Sequence, residues 1–205
     1  YKRQALYYTR GIFPWGNECY LRSDMYHQYA PFFSELWHKI RNGESLTYSW
    51  NIGMGTNFTS LFAYYLASPS NWFVALFPQK YTIEIMNAFI ILKIAGSSLS
   101  LTYYLTKHNN NKHVIAAIFG MFYGMSGFIA AYSWNIMWLD CVILIPLIML
   151  GLERLVNENR CIFYCITLGL CIFTNYYIAI MVCLSVVIYY VVLMIAYNGI
   201  KSPMQ

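Results

Sequence analysis

The sequence predicts an all-α fold, a polytopic membrane helix bundle with interfacial amphipathic helices in a long external first loop. Three observations carry this prediction. Of the 205 residues, 59% are hydrophobic and only 10% are Asp, Glu, Lys or Arg, whereas a soluble domain carries about 25% charged residues. Mean hydropathy is +0.46. After residue 84, apolar runs recur that can cross a bilayer, which takes about 20 residues each. The net charge of +5 fits this class, and no basic cluster interleaves with polar aromatics, so the expected partner is the lipid bilayer and not nucleic acid. Tyr1-Lys2-Arg3 is followed by no apolar stretch of the signal-peptide kind. The missing initiator Met predicts a fragment of a longer protein.

Two regions differ in composition. Residues 1–84 are mixed, aromatic and turn-rich, and residues 85–205 carry the membrane spans. The first span covers about 85–106, before the polar break "KHNNNKH". The second covers about 113–132, and the third about 136–153, with Pro146 inside it. After "ERLVNENR", the run from 161 to 197 would extend about 55 Å as one helix, against an apolar core of about 30 Å. It must turn, and Thr174-Asn175-Tyr176-Tyr177 is the polar place to do so, which divides it into spans of about 160–174 and 177–197.

Orientation follows from the short loops. Lys107, Lys112, Arg154, Arg160 and Lys201 lie in alternate breaks, and the tips at Ser133-Trp134-Asn135 and Asn175 carry no Lys or Arg. The positive-inside rule makes the basic breaks cytoplasmic and places residues 1–84 outside.

Within the external segment, Ser23 is a good N-cap. Met25, Tyr29, Phe32, Phe33, Leu36, Trp37 and Ile40 follow at helical spacing, which predicts an amphipathic helix along the membrane surface. Pro31 is expected to bend or split it and Gly43 to end it. The loop "WNIGMGTNF" holds Gly53 and Gly55 but no dinucleotide fingerprint, since no strand precedes it and a third glycine is missing. Six cysteines say little. Cys19 lies in a loop, and Cys141, Cys161, Cys165, Cys171 and Cys183 lie in apolar runs, where small buried side chains are expected. No Cys/His spacing matches a zinc site.

The topology gathers the polar residues at one end. Asp24, Tyr26 and Gln28 fall on the surface helix, and Trp50, Asn51 and Asn57 in the loop after it. Trp134, Asn135, Trp138 and Asp140 mark one outer tip; Asn175, Tyr176 and Tyr177 mark the other. Carboxylates and amides bind hydroxyls and rings stack on a pyranose, so this set suits a sugar. The competing explanation for the rings is an interfacial aromatic belt. Asp140 falls about one turn inside its span, where an acid is costly and usually functional. Lys93 counts as roughly 12 Å deep, and either snorkels to headgroups or pairs with a lipid phosphate.

In order, "SDMYHQYAPFFSELWHKIRNGESLTYSWNIGMGTNF", "FAYYLASPSNWF", "LKIAGSSLSLTYYL", "NIMWLD" and "NYYIAIM" resemble the YfhO family of bacterial membrane proteins, of the GT-C type of glycosyltransferase, over nearly the whole chain. The resemblance implies transfer of a sugar from a polyprenyl-phosphate donor to a cell-envelope polymer such as teichoic acid, outside the cell. Family members are longer: they open with a transmembrane helix absent before Tyr1 and continue past Gln205. Their catalytic acid lies in the first outer loop near an interfacial helix, where Asp24 stands. Asp24 is then the general base for the acceptor hydroxyl, or the group that orients it. Tyr26, Gln28, Trp50 and Asn57 shape the sugar pocket, with Trp138, Asp140, Asn175, Tyr176 and Tyr177 as further substrate contacts. Lys93 balances the phosphate of the departing carrier. The acid nearest to Asp24 is Glu18, not a direct neighbour, so a divalent metal is left open as the only cofactor. The rival readings are a transporter or lipid flippase, with polar groups at mid-membrane depth, and a non-catalytic scaffold for envelope assembly. A transferase requires Asp24, Asp140 and Asn175 to converge on one outward-facing cavity.

Overall fold

A computed structural model describes residues 8, 9, 11, 16, 24–109 and 113–201, with side chains up to 196. Ser23, expected to cap the first helix, lies outside them, as do Glu18, Cys19 and Lys112.

The described chain turns helical at Asp24. A wide π-turn over Met25–Tyr29 leads into α1, Ala30–Asn42. Pro31 does not split this helix. Proline has no N–H to offer the preceding turn, and the wider turn just before it, in which Ala30 N–H bonds Met25 O, carries the chain past that gap. The helix stops at Gly43, whose φ of 65° is left-handed and whose N–H bonds Lys39 O. Its apolar stripe of Met25, Tyr29, Phe32, Phe33 and Leu36 is buried against protein, so the face that the periodicity assigns to the membrane surface packs on the molecule itself. Glu35 and Lys39 are buried too. They hold the loop beyond the helix: Ser49 Oγ (2.5 Å) and Asn51 Nδ2 (3.0 Å) donate to Glu35, and Lys39 Nζ donates to Ser45 O (3.0 Å) and Tyr48 O (2.8 Å).

That loop forms a two-residue antiparallel pair, β1 Tyr48–Ser49 with β2 Thr56–Asn57. Gly55 is required there, because its φ is 114° and a Cβ would lie 2.0 Å from the Tyr48 hydroxyl. The short α2, Phe58–Leu61, continues as a π-turn over Phe62–Leu66, and 3-10 segments follow at Pro69–Leu76 and Gln79–Tyr81. Trp37 Nε1 donates to Phe77 O (2.6 Å) and Gln79 Nε2 to Ser34 Oγ (2.7 Å), tying this segment to α1.

The membrane helices are α3 Thr82–His108, α4 His113–Gly124 with α5 Gly127–Tyr132, α6 Leu139–Glu158, α7 Ile162–Thr174 and α8 Tyr176–Lys201. Four stretches, Gln79–His108, His113–Tyr132, Ile136–Glu158 and Tyr176–Ala196, are long and apolar enough to cross a bilayer, and Ile162–Thr174 is a shorter apolar helix. The second stretch, continuous in the sequence reading, breaks at Met125-Ser126. Ser126 is extended (ψ 155°) and its Oγ caps α5 through Ile129 N–H.

Small residues set the packing. A Cβ at Gly120 would lie 2.0 Å from Thr102 Oγ1, and one at Gly124 would lie 1.9 Å from Ser98 Oγ, so α3 and α4 approach as closely as glycine allows. Gly151 of α6 meets the Tyr164 backbone of α7 in the same way, with 2.8 Å left for a Cβ. A second apolar cluster, including Cys141, Ile148, Leu152, Cys171 and Val182, joins α6, α7 and α8. Cys141 and Cys171 are buried as expected, but Cys161 and Cys165 are exposed and Cys183 is half-buried: Cys161 caps the start of α7 beside the polar break, and Cys165 and Cys183 lie on α7 and α8, whose apolar flanks suit lipid.

The two ends of the bundle differ. At the basic end, Glu153 of α6 accepts from Tyr104 (2.8 Å) and Tyr189 (2.5 Å) and meets His108 Nδ1 at 3.0 Å, joining α3, α6 and α8. The opposite end is aromatic.

Candidate functional site at the aromatic end

Residues from four parts of the chain meet at the aromatic end. Tyr29, on the inner face of the first helix, donates to Asn135 Oδ1 (2.9 Å) and lies parallel to Trp134 at 6.3 Å. Gln28 Nε2 donates to the Tyr65 hydroxyl at 3.2 Å. Tyr65 packs against Tyr29 (5.4 Å) and Phe32 (5.1 Å). Tyr64 contacts Tyr176 and Tyr177 at 5.8 and 6.3 Å, and Tyr177 stacks on Trp138 at 6.4 Å. Burial first, then the neighbouring tyrosine Tyr65 and Asp24, pushes the Tyr29 hydroxyl well above its ordinary value; burial and Tyr64 raise Tyr65 likewise. Both therefore stay protonated donors.

Asp24 stands at the rim of this cluster. Its side chain is exposed and its backbone is already helical (φ −60°, ψ −23°), with no capping bond from its carboxylate. An acid held at a helix start solely for capping would bond the first-turn amides. Asp24 instead is exposed and makes no ion pair or side-chain hydrogen bond among the described residues. Tyr26 is exposed beside it.

Asp140 and Lys93 form one unit. Lys93 Nζ meets Asp140 Oδ2 at 2.6 Å and donates to Ile136 O at 3.2 Å, with the lysine only 5% exposed. Its ammonium thus does not snorkel to headgroups. The helix that carries it, α3, runs about 40 Å. Along their helices Lys93 lies about 16 Å from the Thr82 end of α3, and Asp140 lies in the first turn of α6.

Asn175 is fully buried, with Nδ2 donating to Tyr64 O (3.0 Å) and Oδ1 capping α8 through Ile178 N–H (2.9 Å). It fastens the 62–66 turn to α8 and has no polar end turned outward. Asp24, Asp140 and Asn175 share one end of the bundle, but neither groove at that end, one along α8 and one beside the first helix, is lined by any of the three, so the convergence expected of a transferase is not seen there: Asp24 is exposed, Asp140 is paired with Lys93 and Asn175 is a buried seam. Trp50 and Asn57 stand apart. The loop carrying them is anchored at Glu35, about 16 Å along the helix from Asp24. Trp50 is 76% exposed and packs on Tyr48, and the Asn57 side chain caps α2 by accepting from Thr59 and Ser60 N–H. Among the described residues no three His, Cys, Asp or Glu side chains come together to hold a metal.

The sequence reading passed over Tyr29, Tyr64 and Tyr65 as site residues. "FAYYL" reads as a short apolar piece, and nothing local says which helix it meets. Asn135 was seen as a polar tip residue, without its buried bond. Its Nδ2 and Trp138 Nε1 are both buried without a hydrogen-bond partner.

A helix bundle of this kind, apolar on its flanks and aromatic at one end, defines a multi-pass protein of the cell membrane. The chain matches the family model described as bacterial membrane protein YfhO over residues 4–205, and it belongs to that family. No curated protein and no solved structure matches it.

Proposed function

We propose that this chain is part of a GT-C-type glycosyltransferase that moves a sugar from a polyprenyl-phosphate donor to a cell-envelope polymer such as teichoic acid, outside the cell. One observation carries the reading: a free carboxylate, Asp24, stands at the rim of a cluster of stacked rings and amides at the non-basic end of the bundle. Lys107, Arg154 and Arg160 mark the other end, which the positive-inside rule makes cytoplasmic, so the cluster faces outward, where donors are lipid-linked and no nucleotide is needed. Rings such as Trp138, Tyr176 and Tyr177 offer stacking surfaces, and Gln28 and Tyr26 offer hydroxyl partners. Asp24 accepts the acceptor hydroxyl's proton as that oxygen bonds the sugar's anomeric carbon and the bond from that carbon to the donor phosphate breaks, releasing polyprenyl phosphate. Lys93 belongs to this reading as a cation that reaches the turn at Ile136, with its charge shared by Asp140. Between α7 and α8 an apolar groove of about 340 Å³, lined by Tyr176, Cys183 and Val187 among others, runs down from the cluster and offers a path for a prenyl chain.

A transporter would carry its polar groups at mid-membrane depth, whereas Asp24 and Gln28 belong to the aromatic end. Purified full-length protein incubated with a panel of polyprenyl-phosphate sugars and envelope polymers tests the proposal. Sugar transfer is expected from at least one donor. Alternating access to Lys93 from both faces, with no transfer, would favour transport.

A further inference from the structure

The segment that leads into α3 carries apolar residues on both of its sides. Its inner side holds Asn71, Val74 and Ala75, all buried, with Val74 in the core cluster of Phe33 and Leu36. Its outer side is Trp72, Phe73, Leu76, Phe77 and Tyr81, all exposed, Leu76 by 67% and Phe73 by 56%. A helical segment that faces water is polar on its outer side, and a contiguous exposed apolar patch marks an interaction surface. The chain itself points to what covers this one. The stretch long and apolar enough to cross a bilayer begins at Gln79, so the patch adjoins the end of a lipid-facing helix.

Two cations edge the patch. Lys80 Nζ lies 4.8 Å over the Tyr81 ring, and the Arg41 guanidinium lies 5.9 Å over the Trp37 ring, whose Nε1 donates to Phe77 O at 2.6 Å. Both cations are exposed, and neither makes an ion pair among the described residues. Aromatic rings settle at the headgroup level of a bilayer, and cations beside them attract anionic lipid phosphates. The patch is also fastened to α1, through Trp37 to Phe77 and through Gln79 to Ser34 at 2.7 Å. The apolar stripe of α1 is itself buried against protein, so the membrane-surface role that the periodicity assigns to α1 passes to the segment beneath it.

We infer that the 69–81 segment is a lipid-docking collar: Trp72, Phe73, Leu76 and Phe77 enter the boundary between headgroups and acyl chains, and Arg41 and Lys80 hold the phosphate of an anionic phospholipid. The collar fixes α1 at the bilayer surface, because lifting the helix away would break both of its hydrogen bonds to the segment. It stands whether or not the protein transfers sugars.

Full-length protein in a cysteine-free background, reconstituted into phosphatidylcholine vesicles with and without phosphatidylglycerol, tests it. Spin labels at Phe73→Cys and Leu76→Cys should meet oxygen and be shielded from a water-soluble nickel chelate. In this they should match a label at Leu99→Cys, which is exposed on α3, and differ from one at Met54→Cys. A bimane at Leu76→Cys should be quenched more by brominated phosphatidylglycerol than by brominated phosphatidylcholine at equal mole fraction, and the preference should shrink as salt rises. Arg41→Gln and Lys80→Gln should each cut that preference, by up to about fivefold for one cation at an anionic surface, while Arg41→Lys and Lys80→Arg keep it. Labels at 73 and 76 that are open to the nickel chelate overturn the inference. Labels shielded from both reagents do so too, since another protein surface would then cover the patch. Equal quenching by the two lipids removes the anionic headgroup site, and so do glutamine variants that keep the wild-type preference.

Discussion

Asp24 and Lys93 pose opposite problems, because one charge is free and the other is locked. Asp24 makes no capping bond, so Asp24→Asn removes charge and basicity without removing a structural contact. Transfer by the full-length protein should fall at least about 100-fold, the lower bound for a general base, while the melting temperature stays put. Retained transfer would dismiss Asp24 as the base. Lys93 behaves differently. Its ammonium is buried against Asp140 at 2.6 Å, and breaking such a pair leaves one charge uncompensated, at a cost of about 3–5 kcal/mol. Lys93→Met should therefore lower the melting temperature strongly. The double variant Lys93→Met/Asp140→Leu should recover most of it, since replacing both partners by apolar groups is often neutral. Donor use by the double variant then isolates the lysine's chemistry: recovered folding with lost donor use assigns Lys93 to the phosphate, and recovery of both leaves it a fastener of the turn at Ile136.

Helix packing depends on a few positions where no side chain fits. Gly124→Ala should destabilise by about 1–3 kcal/mol, because the new methyl meets Ser98 Oγ with no space. Gly169→Ala, on α7 where nothing lies within 4 Å, should be neutral or stabilising by about 0.5–1 kcal/mol from helix propensity alone. Thermal melts of the two variants check the contrast. A Gly124→Ala protein as stable as wild type would show that α3 and α4 can part without loss. Element by element, the sequence announced what periodicity and length govern: the helix after residue 24, its end at Gly43, the span with Pro146 inside it, and the turn at Asn175. It hid what depends on distant partners. The break at Ser126 sits within an unbroken apolar run and is made by one cap. Glu35 and Lys39 are four apart, a pairing visible on any helix, but their burial depends on a loop folding back over them. Lys93 and Asp140 are 47 residues apart, and the tyrosines of "FAYYL" find Tyr29, Tyr176 and Tyr177 only once distant segments assemble.

For the whole molecule, everything turns on which end faces out. The basic end is closed by polar contacts of its own, Glu153 with Tyr104, His108 and Tyr189, and Arg160 with Glu158 at 3.4 Å. The aromatic end carries the unspent groups, Asp24, Lys80 and the stacked rings. Basic short loops favour the cytoplasm, and a lipid-linked donor with a polymeric envelope acceptor requires the aromatic end outside. The transferase reading takes its outward face from that same rule, so a single measurement bears on both. In a cysteine-free background of the full-length protein, a cysteine at Met54, which is 91% exposed on the loop after α1, should react with a membrane-impermeant maleimide added to intact cells. A cysteine at Asn159, exposed at the left-handed end of α6, should react only after the membrane is permeabilised. The opposite pattern would put Asp24 in the cytoplasm, where no envelope polymer is exposed to it, and the transferase reading would fall. Labelling of both sites from outside would mean that α6 does not cross. The Lys93–Asp140 pair, which joins α3 to α6, would then have to sit at a water interface, and Lys93→Met would cost far less than a buried pair demands.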